Sequence, residues 1–412
     1  MAASLGWMLD AFDVMLFSLL LASIMADLNL TKEQGGALGS LTLVAAAAGG
    51  LIFGVFADRH GRKRALMVSV LLYSIFTALC GLSRNLWQLV LFRLCLGLGM
   101  GGEWASGAAL VSESWPAPTR GRAFAFMQSS WAIGFGLAAL VSGLLLPIWG
   151  WRGVFFIGVL PAFFTLWVRR NVEEPELWER TRLVLNEHER VEGPALSERQ
   201  RAEGRPEHLP ALGDLFRGDL ARASVALTLM NACTLFGWWG LNTWVPAYLV
   251  LPAEQGGAGL SIIGSSAVVF ITQVGMWFGY VTFGFVADAI GRKRAYAIYI
   301  LAASLLLPLY GYMRSPLVLL TLGPCIAFFG TGHYSGFGPL TAEIYPTAIR
   351  ATAQGFTYNA GRLASAAAPY VIGSLAASRG FGPAFAAAGA AFFVAAIALY
   401  WVPEPRSVEL VS

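Results

Sequence analysis

Six ionisable residues, Asp10, Asp13, Arg93, Glu103, His333 and Arg362, stand inside stretches that are otherwise nearly free of charge. In an apolar medium each is costly, which makes it a candidate for holding or moving charge. Asp10 and Asp13 are three apart and share one helix face. Two carboxylates that close at low dielectric rarely both ionise, so the pair is a candidate proton carrier; the alternative is a structural partnership with a cation or a backbone donor. Arg362 carries a planar fork that suits a carboxylate in two-pronged contact. Tyr358 and Asn359, four and three residues earlier, lie on its face. The competing reading is a permanent ion pair of Arg362 with Asp10, Asp13 or Glu103. His333 is either a group that titrates near neutral pH or a satisfied hydrogen-bonding residue. Gln128, Trp131, Asn231, Trp238, Asn242 and Gln273 offer hydrogen bonds and aromatic walls in the same stretches, although Trp also forms interface belts.

Other chemistry is poorly supported. Lysine occurs only at Lys32, Lys63 and Lys293, and none stands in a glycine-rich phosphate-binding loop. The four cysteines, Cys80, Cys95, Cys233 and Cys325, are scattered through apolar stretches and read as small packing residues. Nothing resembles a metal-ligand cluster or a catalytic triad. The expectation is a protein that is not an enzyme, needs no cofactor or metal and binds no nucleic acid.

The elements that position these residues are apolar. Of the 412 residues, 57% are hydrophobic and 13% charged, about half the charge of a soluble domain. Nearly uncharged runs of 18 or more residues recur, the length a helix needs to cross about 30 Å of hydrocarbon. They predict spans near 4–26, 35–57, 64–83, 86–112, 121–146 and 151–170, then 221–250, 261–287, 294–313, 316–341, 350–376 and 381–403. Arg362, twelve residues into the eleventh, would lie about 18 Å deep. Residues 171–220 are rich in Arg, Glu and Pro and read as a linker. With the N-terminus inside, 21 Lys and Arg fall on the cytoplasmic side. Lys32, Arg84, Arg152, Arg314 and Arg379 fall outside, which favours cytoplasmic termini. No basic segment precedes the first span, so the expectation is an uncleaved first helix that itself directs insertion.

The chain repeats at an offset of 230 residues. Gly54-Val-Phe-Ala-Asp58-Arg-His-Gly61-Arg62-Lys63-Arg64 returns as Gly284-Phe-Val-Ala-Asp288-Ala-Ile-Gly291-Arg292-Lys293-Arg294. Glu113-Ser-Trp-Pro-Ala-Pro-Thr-Arg120 returns as Glu343-Ile-Tyr-Pro-Thr-Ala-Ile-Arg350. Two segments sharing one offset imply duplicated six-helix halves, 1–170 and 221–412, joined by the 171–220 linker.

The loop after the second span resembles the signature of the major facilitator superfamily, and helix count, repeat and loop positions agree over essentially the whole chain. The resemblance implies an all-α integral membrane fold of twelve helices in two bundles, rocking about a central cavity in alternating access. It also implies that each loop Asp meets a helix N-terminus of the opposite half. Asp58 would approach the start of the eleventh span at Arg350, and Asp288 the start of the fifth at Arg120, with Arg62 and Arg292 alongside. These contacts would close a cytoplasmic gate; the alternative is that the charges only enforce topology. Glu113 and Glu343 read as structural.

Finer resemblances concern the cargo. Asp10-Ala11-Phe12-Asp13 is similar to the first-helix pattern of aromatic-acid:proton symporters, with Ala11 where that family has Gly. The run from Arg93 through Gly97, Gly99 and Gly101 to Gly102-Glu103-Trp104 resembles the fourth-helix motif linked with proton coupling, and its ending resembles the aromatic-acid, sialate and niacin carriers. Asn231 and Thr234 fit a monocarboxylate-permease pattern, but Leu235, Trp238 and Trp239 depart from it. The resemblance implies symport of protons with a small organic anion, a carboxylate that the aromatic lining biases towards an aromatic or larger one. It places the chain in a bacterial inner membrane, working as a monomer in the lipid bilayer. A proton-independent uniporter or anion exchanger of the same fold is the alternative.

Overall fold

The computed structural model describes residues 2–114, 120–171, 215–345 and 350–403. These residues are helical almost throughout, with no strands among them. Backbone groups in hydrocarbon must be satisfied within their own segment, which leaves the helix as the economical choice. The first half runs α1 (Ala2–Leu28), α2 (Lys32–His60), α3 (Arg62–Cys80), α4 (Leu86–Ser114), α5 (Arg120–Ile157) and α6 (Leu160–Asn171). The second runs α7 (Gly218–Val250), α8 (Ile262–Ile290), α9 (Arg292–Tyr310), α10 (Pro316–Gly332), α11 (Phe337–Ile344), α12 (Arg350–Ser365), α13 (Ala368–Arg379) and α14 (Phe381–Trp401). Eight segments of the described residues are long and apolar enough to span a membrane by that measure alone, one of them the 47-residue stretch from Ala125 to Asn171.

The sequence repeat is a structural repeat. Gly61 and Gly291 join α2 to α3 and α8 to α9 with φ/ψ of 105°/150° and 92°/144°, a region only glycine enters cheaply. Gly150 and Gly380 form a second matched pair at 64°/174° and 84°/173°. The buried face of α3 comprises Ala65, Leu66, Ser69, Val70, Tyr73, Ser74, Thr77 and Cys80. That of α9 comprises Ala295, Tyr296, Tyr299, Ile300, Ala303, Ser304, Leu307 and Tyr310, the same positions one repeat later. Lys63 donates to the carbonyl of Arg169 at the end of α6, and Lys293 to those of Tyr400 and Val402 at the end of α14.

Three predicted spans are interrupted. Gly150 divides α5 between the predicted fifth and sixth spans, and the sixth itself breaks at residues 158–159, between α5 and α6. The tenth breaks at a 3-10 turn, His333–Gly336, between α10 and α11. The eleventh breaks between α12 and α13, where Pro369 removes a donor and its ring crowds the carbonyl four residues back. Arg362 therefore sits in the last turn of a short helix.

The two halves meet tightly at one end of the bundle, the end carrying Lys32 and Arg379. The Lys32 ammonium donates to the carbonyls of Gln255 at 2.8 Å and Ala376 at 3.3 Å, and stands 4.9 Å from the Phe381 ring centre. The Tyr370 amide donates to Ser40 Oγ at 3.1 Å. A Cβ at Gly36 of α2 would lie 2.4 Å from the Pro369 carbonyl oxygen and 2.9 Å from Tyr370 Cα. Opposite this seam, Gly143 of α5 packs on Ser266 of α8. Among pairs of described residues, every hydrogen bond between the halves belongs to this end. The molecule is thus closed at the Lys32 end.

Candidate functional site: a tryptophan-walled cavity between the halves

A cavity of about 440 Å³ lies where the halves face each other, walled by Trp7 of α1, Met100 of α4, Gln128 and Trp131 of α5, Leu235, Trp238 and Trp239 of α7, Tyr280 of α8, and Tyr334, Tyr358 and Arg362. Four indoles form a continuous aromatic wall. Ring centres are 4.6 Å apart for Trp7 and Trp131, 5.7 Å for Trp131 and Trp238, 6.3 Å for Trp131 and Trp239, and 4.7 Å for Trp238 and Trp239. These tilted and edge-on arrangements are those the ring quadrupole favours. Trp131 belongs to the first half and Trp238 and Trp239 to the second, so the stack crosses the seam.

Arg362 is the cavity's cation, only 5% exposed. No carboxylate oxygen of the described residues comes within 4 Å of it, yet Asp10 and Glu103 are near enough to interact with it electrostatically. Both acids are fully buried, and their carboxylate oxygens have no hydrogen-bond partner. Glu103 Oε1 lies against the bare backbone of α1, 2.6 Å from where a Cβ of Gly6 would stand. Asp13 is also fully buried, with Oδ2 accepting from Thr77 Oγ1 at 3.2 Å. α1 and α4 thus carry three acids facing the inside of the first half, and α12 brings the opposing cation from the second.

The glycines of α4 make this possible. A Cβ on Gly97 would meet the Thr42 carbonyl oxygen at 2.4 Å, and one on Gly101 the Ala46 carbonyl at 1.9 Å, so α2 and α4 lie in backbone contact.

The other sequence-derived residues are distributed around this core. Gln128, Trp131, Trp238 and Tyr358 line the cavity with Arg362. Asn359, exposed, turns its amide back to the Gly355 carbonyl at 2.9 Å. Asn231 donates to the Thr357 carbonyl at 3.4 Å, tying α7 to α12 where Gly361 lets them touch. His333 is buried among aromatic rings, 4.3 Å from Tyr334 and 5.8 Å from Tyr296 between centres. Asn242 and Gln273 face a separate, mainly apolar cavity of about 570 Å³ built largely by the second half, with Phe135 of α5 on its wall. Arg93 lies over the Phe17 ring at 4.0 Å, away from the cavity. Of the gate residues, Arg62 and Arg292 open α3 and α9, and Asp288 is exposed. Arg120 and Arg350 begin α5 and α12; their side chains, like that of Asp58, lie outside the described residues. The 171–220 linker lies outside them for nearly its whole length.

Trp7, Met100, Tyr280 and Tyr334 complete the wall and were not singled out by sequence. Trp7 carried a signal: it precedes Asp10 by three residues and so shares its face.

A duplicated helical bundle with a closed end, a central cavity and buried opposing charges defines a membrane transporter. The major facilitator superfamily model matches residues 3–271 and 229–412, and the chain belongs to that family. It is 32% identical to the cis,cis-muconate transport protein of Acinetobacter baylyi, over 96% of this chain and 91% of that one. It is 32% identical to the niacin transporter of the same organism, over 89% and 84%. It is 29% identical to the sialic acid transporter of Escherichia coli, over 100% and 95%. Among solved structures, a D-xylose-proton symporter superposes with a TM-score of 0.76 at 21% identity, covering 99% of this chain and 98% of that one. The inward-open xylose transporter of Escherichia coli gives 0.74 at 20%, covering 98% and 96%. The chain is therefore an integral membrane transporter and not an enzyme.

Proposed function

We propose that the protein is a proton-coupled symporter of a small organic carboxylate, with an aromatic or conjugated cargo preferred, working by alternating access between its two halves. The observation that carries this reading is Arg362: one buried guanidinium, unbridged by any described carboxylate, at the wall of a cavity lined mainly by indole and phenol rings. A guanidinium fork binds a carboxylate in two-pronged fashion, and flat aromatic walls suit a flat ligand. Relatives named for muconate, niacin and sialic acid transport support a carboxylate-bearing cargo. A thermal-shift panel of benzoate, gentisate, cis,cis-muconate and nicotinate, each beside its neutral amide or ester, tests it. Stabilisation by carboxylates alone is expected; equal stabilisation by the neutral partners would reject anion recognition.

Asp10, Asp13 and Glu103 supply the proton sites in this reading, because all three are buried, Asp10 is in electrostatic reach of both other acids, and Asp10 and Glu103 are in reach of Arg362. In proteoliposomes, Asp10→Asn, Asp13→Asn and Glu103→Gln should each abolish accumulation driven by a pH gradient, and at least one should keep exchange of labelled for unlabelled cargo. Three variants that all accumulate cargo like the parent would point to the proton-independent uniporter or exchanger instead. Arg93 would assist the coupling from α4.

The halves 1–170 and 221–412 move as bodies in this scheme, with 171–220 as their connector. The Lys32 end faces the exterior and both termini the cytoplasm of a bacterial inner membrane, by the asymmetry of Lys and Arg. Asp58 and Asp288, with Arg62, Arg292, Arg120 and Arg350, would close the other end when the Lys32 end opens. A single cysteine placed in 171–220 of a Cys-free variant should resist an impermeant thiol reagent added outside intact cells. Labelling there, with none near Arg314, would reverse the orientation.

A further inference from the structure

A second buried guanidinium has a cavity of its own. Arg93 is 2% exposed, and its Nε and Nη1 have no hydrogen-bond acceptor. Among the described residues no carboxylate oxygen lies within 4 Å of it. The Phe17 ring, 4.0 Å away, covers one face of the guanidinium. A cation–π contact engages the face and leaves the edge, where the N–H donors project, unsatisfied. Arg93 lines a space of about 260 Å³ together with Val14, Phe17, Ser18, Gly39, Thr42 and, across the seam, Trp239 and Thr243.

Three helices fix where this space lies relative to the central cavity. Along α1 the lining passes from Trp7 in the central cavity to Val14, Phe17 and Ser18 here. Along α4 it passes from Met100 back to Arg93, and along α7 from Leu235 and Trp238 to Thr243. Seven residues of α4 are about 10 Å, and all three directions lead towards the Lys32 end. Trp239 belongs to both linings and stands between them. Gly39, which walls the outer space, packs against Pro369 and Thr243, so the seam that closes the Lys32 end forms its roof.

We propose that Arg93 is a second carboxylate station, exposed when the Lys32 end opens, from which the anion passes Trp239 to Arg362. It rests on the carboxylate reading above. Opening the seam between α2 and α13 uncovers the unsatisfied guanidinium edge to the incoming anion. Closing it leaves the central cavity, with Arg362, as the binding place.

The test compares two backgrounds by titration of the purified protein with benzoate and cis,cis-muconate. Gly36→Trp, or Gly36→Leu if the first does not fold, props the Lys32 end open by steric blockage against the Pro369 and Tyr370 main chain. In that background Arg93→Gln should weaken binding about tenfold or more, the cost of losing a charge-assisted contact. With Gly36 retained, the same change should weaken binding by a clearly smaller factor, and a melting curve shows that the Arg93→Gln protein is folded. An equal effect in both backgrounds, or none in the propped one, overturns the station. Failure of either carboxylate to bind any version, Arg93 present or not, would instead reject the carboxylate reading, and the station with it.

Discussion

Replacing Arg362 by Lys should leave a folded transporter that binds carboxylate cargo roughly 10- to 100-fold more weakly. The estimate follows from the two-pronged contact: a hydrogen bond to a charged group contributes about 1.5–3 kcal/mol, and about 1.4 kcal/mol is tenfold. Lys keeps the charge but offers a compact, strongly hydrated head in place of a planar fork. Because Arg362 makes no salt bridge within 4 Å to a described carboxylate, its substitution breaks no such bridge and the fold should persist. Titration of the purified variant with benzoate, beside a melting curve, checks both halves of the statement. Near-parental affinity in a well-folded protein would remove Arg362 from the cargo site and favour a role for its charge alone, with Asp10 and Glu103 as its field partners.

A second large effect is expected from Gly36→Trp at the opposite level of the protein. The Cβ position of Gly36 is met at 2.4 Å and 2.9 Å by main-chain atoms of Pro369 and Tyr370, which cannot rotate aside as a side-chain tip can. Overpacking typically costs about 1–3 kcal/mol, a shift of roughly 5- to 150-fold against the closed seam. An indole at that point belongs at the upper limit. Uptake should fall accordingly, since the cycle requires the Lys32 end to shut. A cysteine introduced at Thr243, beneath the seam, should become reactive to an impermeant thiol reagent. Unchanged uptake with an unreactive Thr243→Cys would mean that the α2–α13 contact does not close the pathway.

Much of the architecture was readable because it rests on local regularities. Glycine positions, loop charges and apolar lengths all repeat at one offset, and the paired conformations of Gly61 with Gly291 and the paired buried faces of α3 and α9 are that repeat in three dimensions. The interruptions were less legible. The division of α5 at Gly150 falls between the expected spans 121–146 and 151–170, whereas the expected span 350–376 ran straight through Pro369, whose effect in a membrane helix depends on the packing around it. Site residues were harder still, because span membership does not give rotation. Tyr358 and Asn359 are adjacent, and helix packing puts the first on the cavity wall and leaves the second exposed, bonded to its own helix. Tyr280 reaches the cavity through the same rotational fact, which no spacing rule applied to one helix supplies.

The aromatic wall also gives the protein an optical signature. Trp7, Trp131, Trp238 and Trp239 stand with ring centres 4.6–6.3 Å apart in a chain of contacts, close enough for their electronic transitions to mix rather than add. Two of the four are carried by each half as a close pair, and the 5.7 and 6.3 Å contacts of Trp131 with Trp238 and Trp239 join the pairs across the seam. Near-ultraviolet circular dichroism of the unlabelled protein should therefore report which way the halves are tilted, and a flat chromophore entering between them would write its own band into the same spectrum.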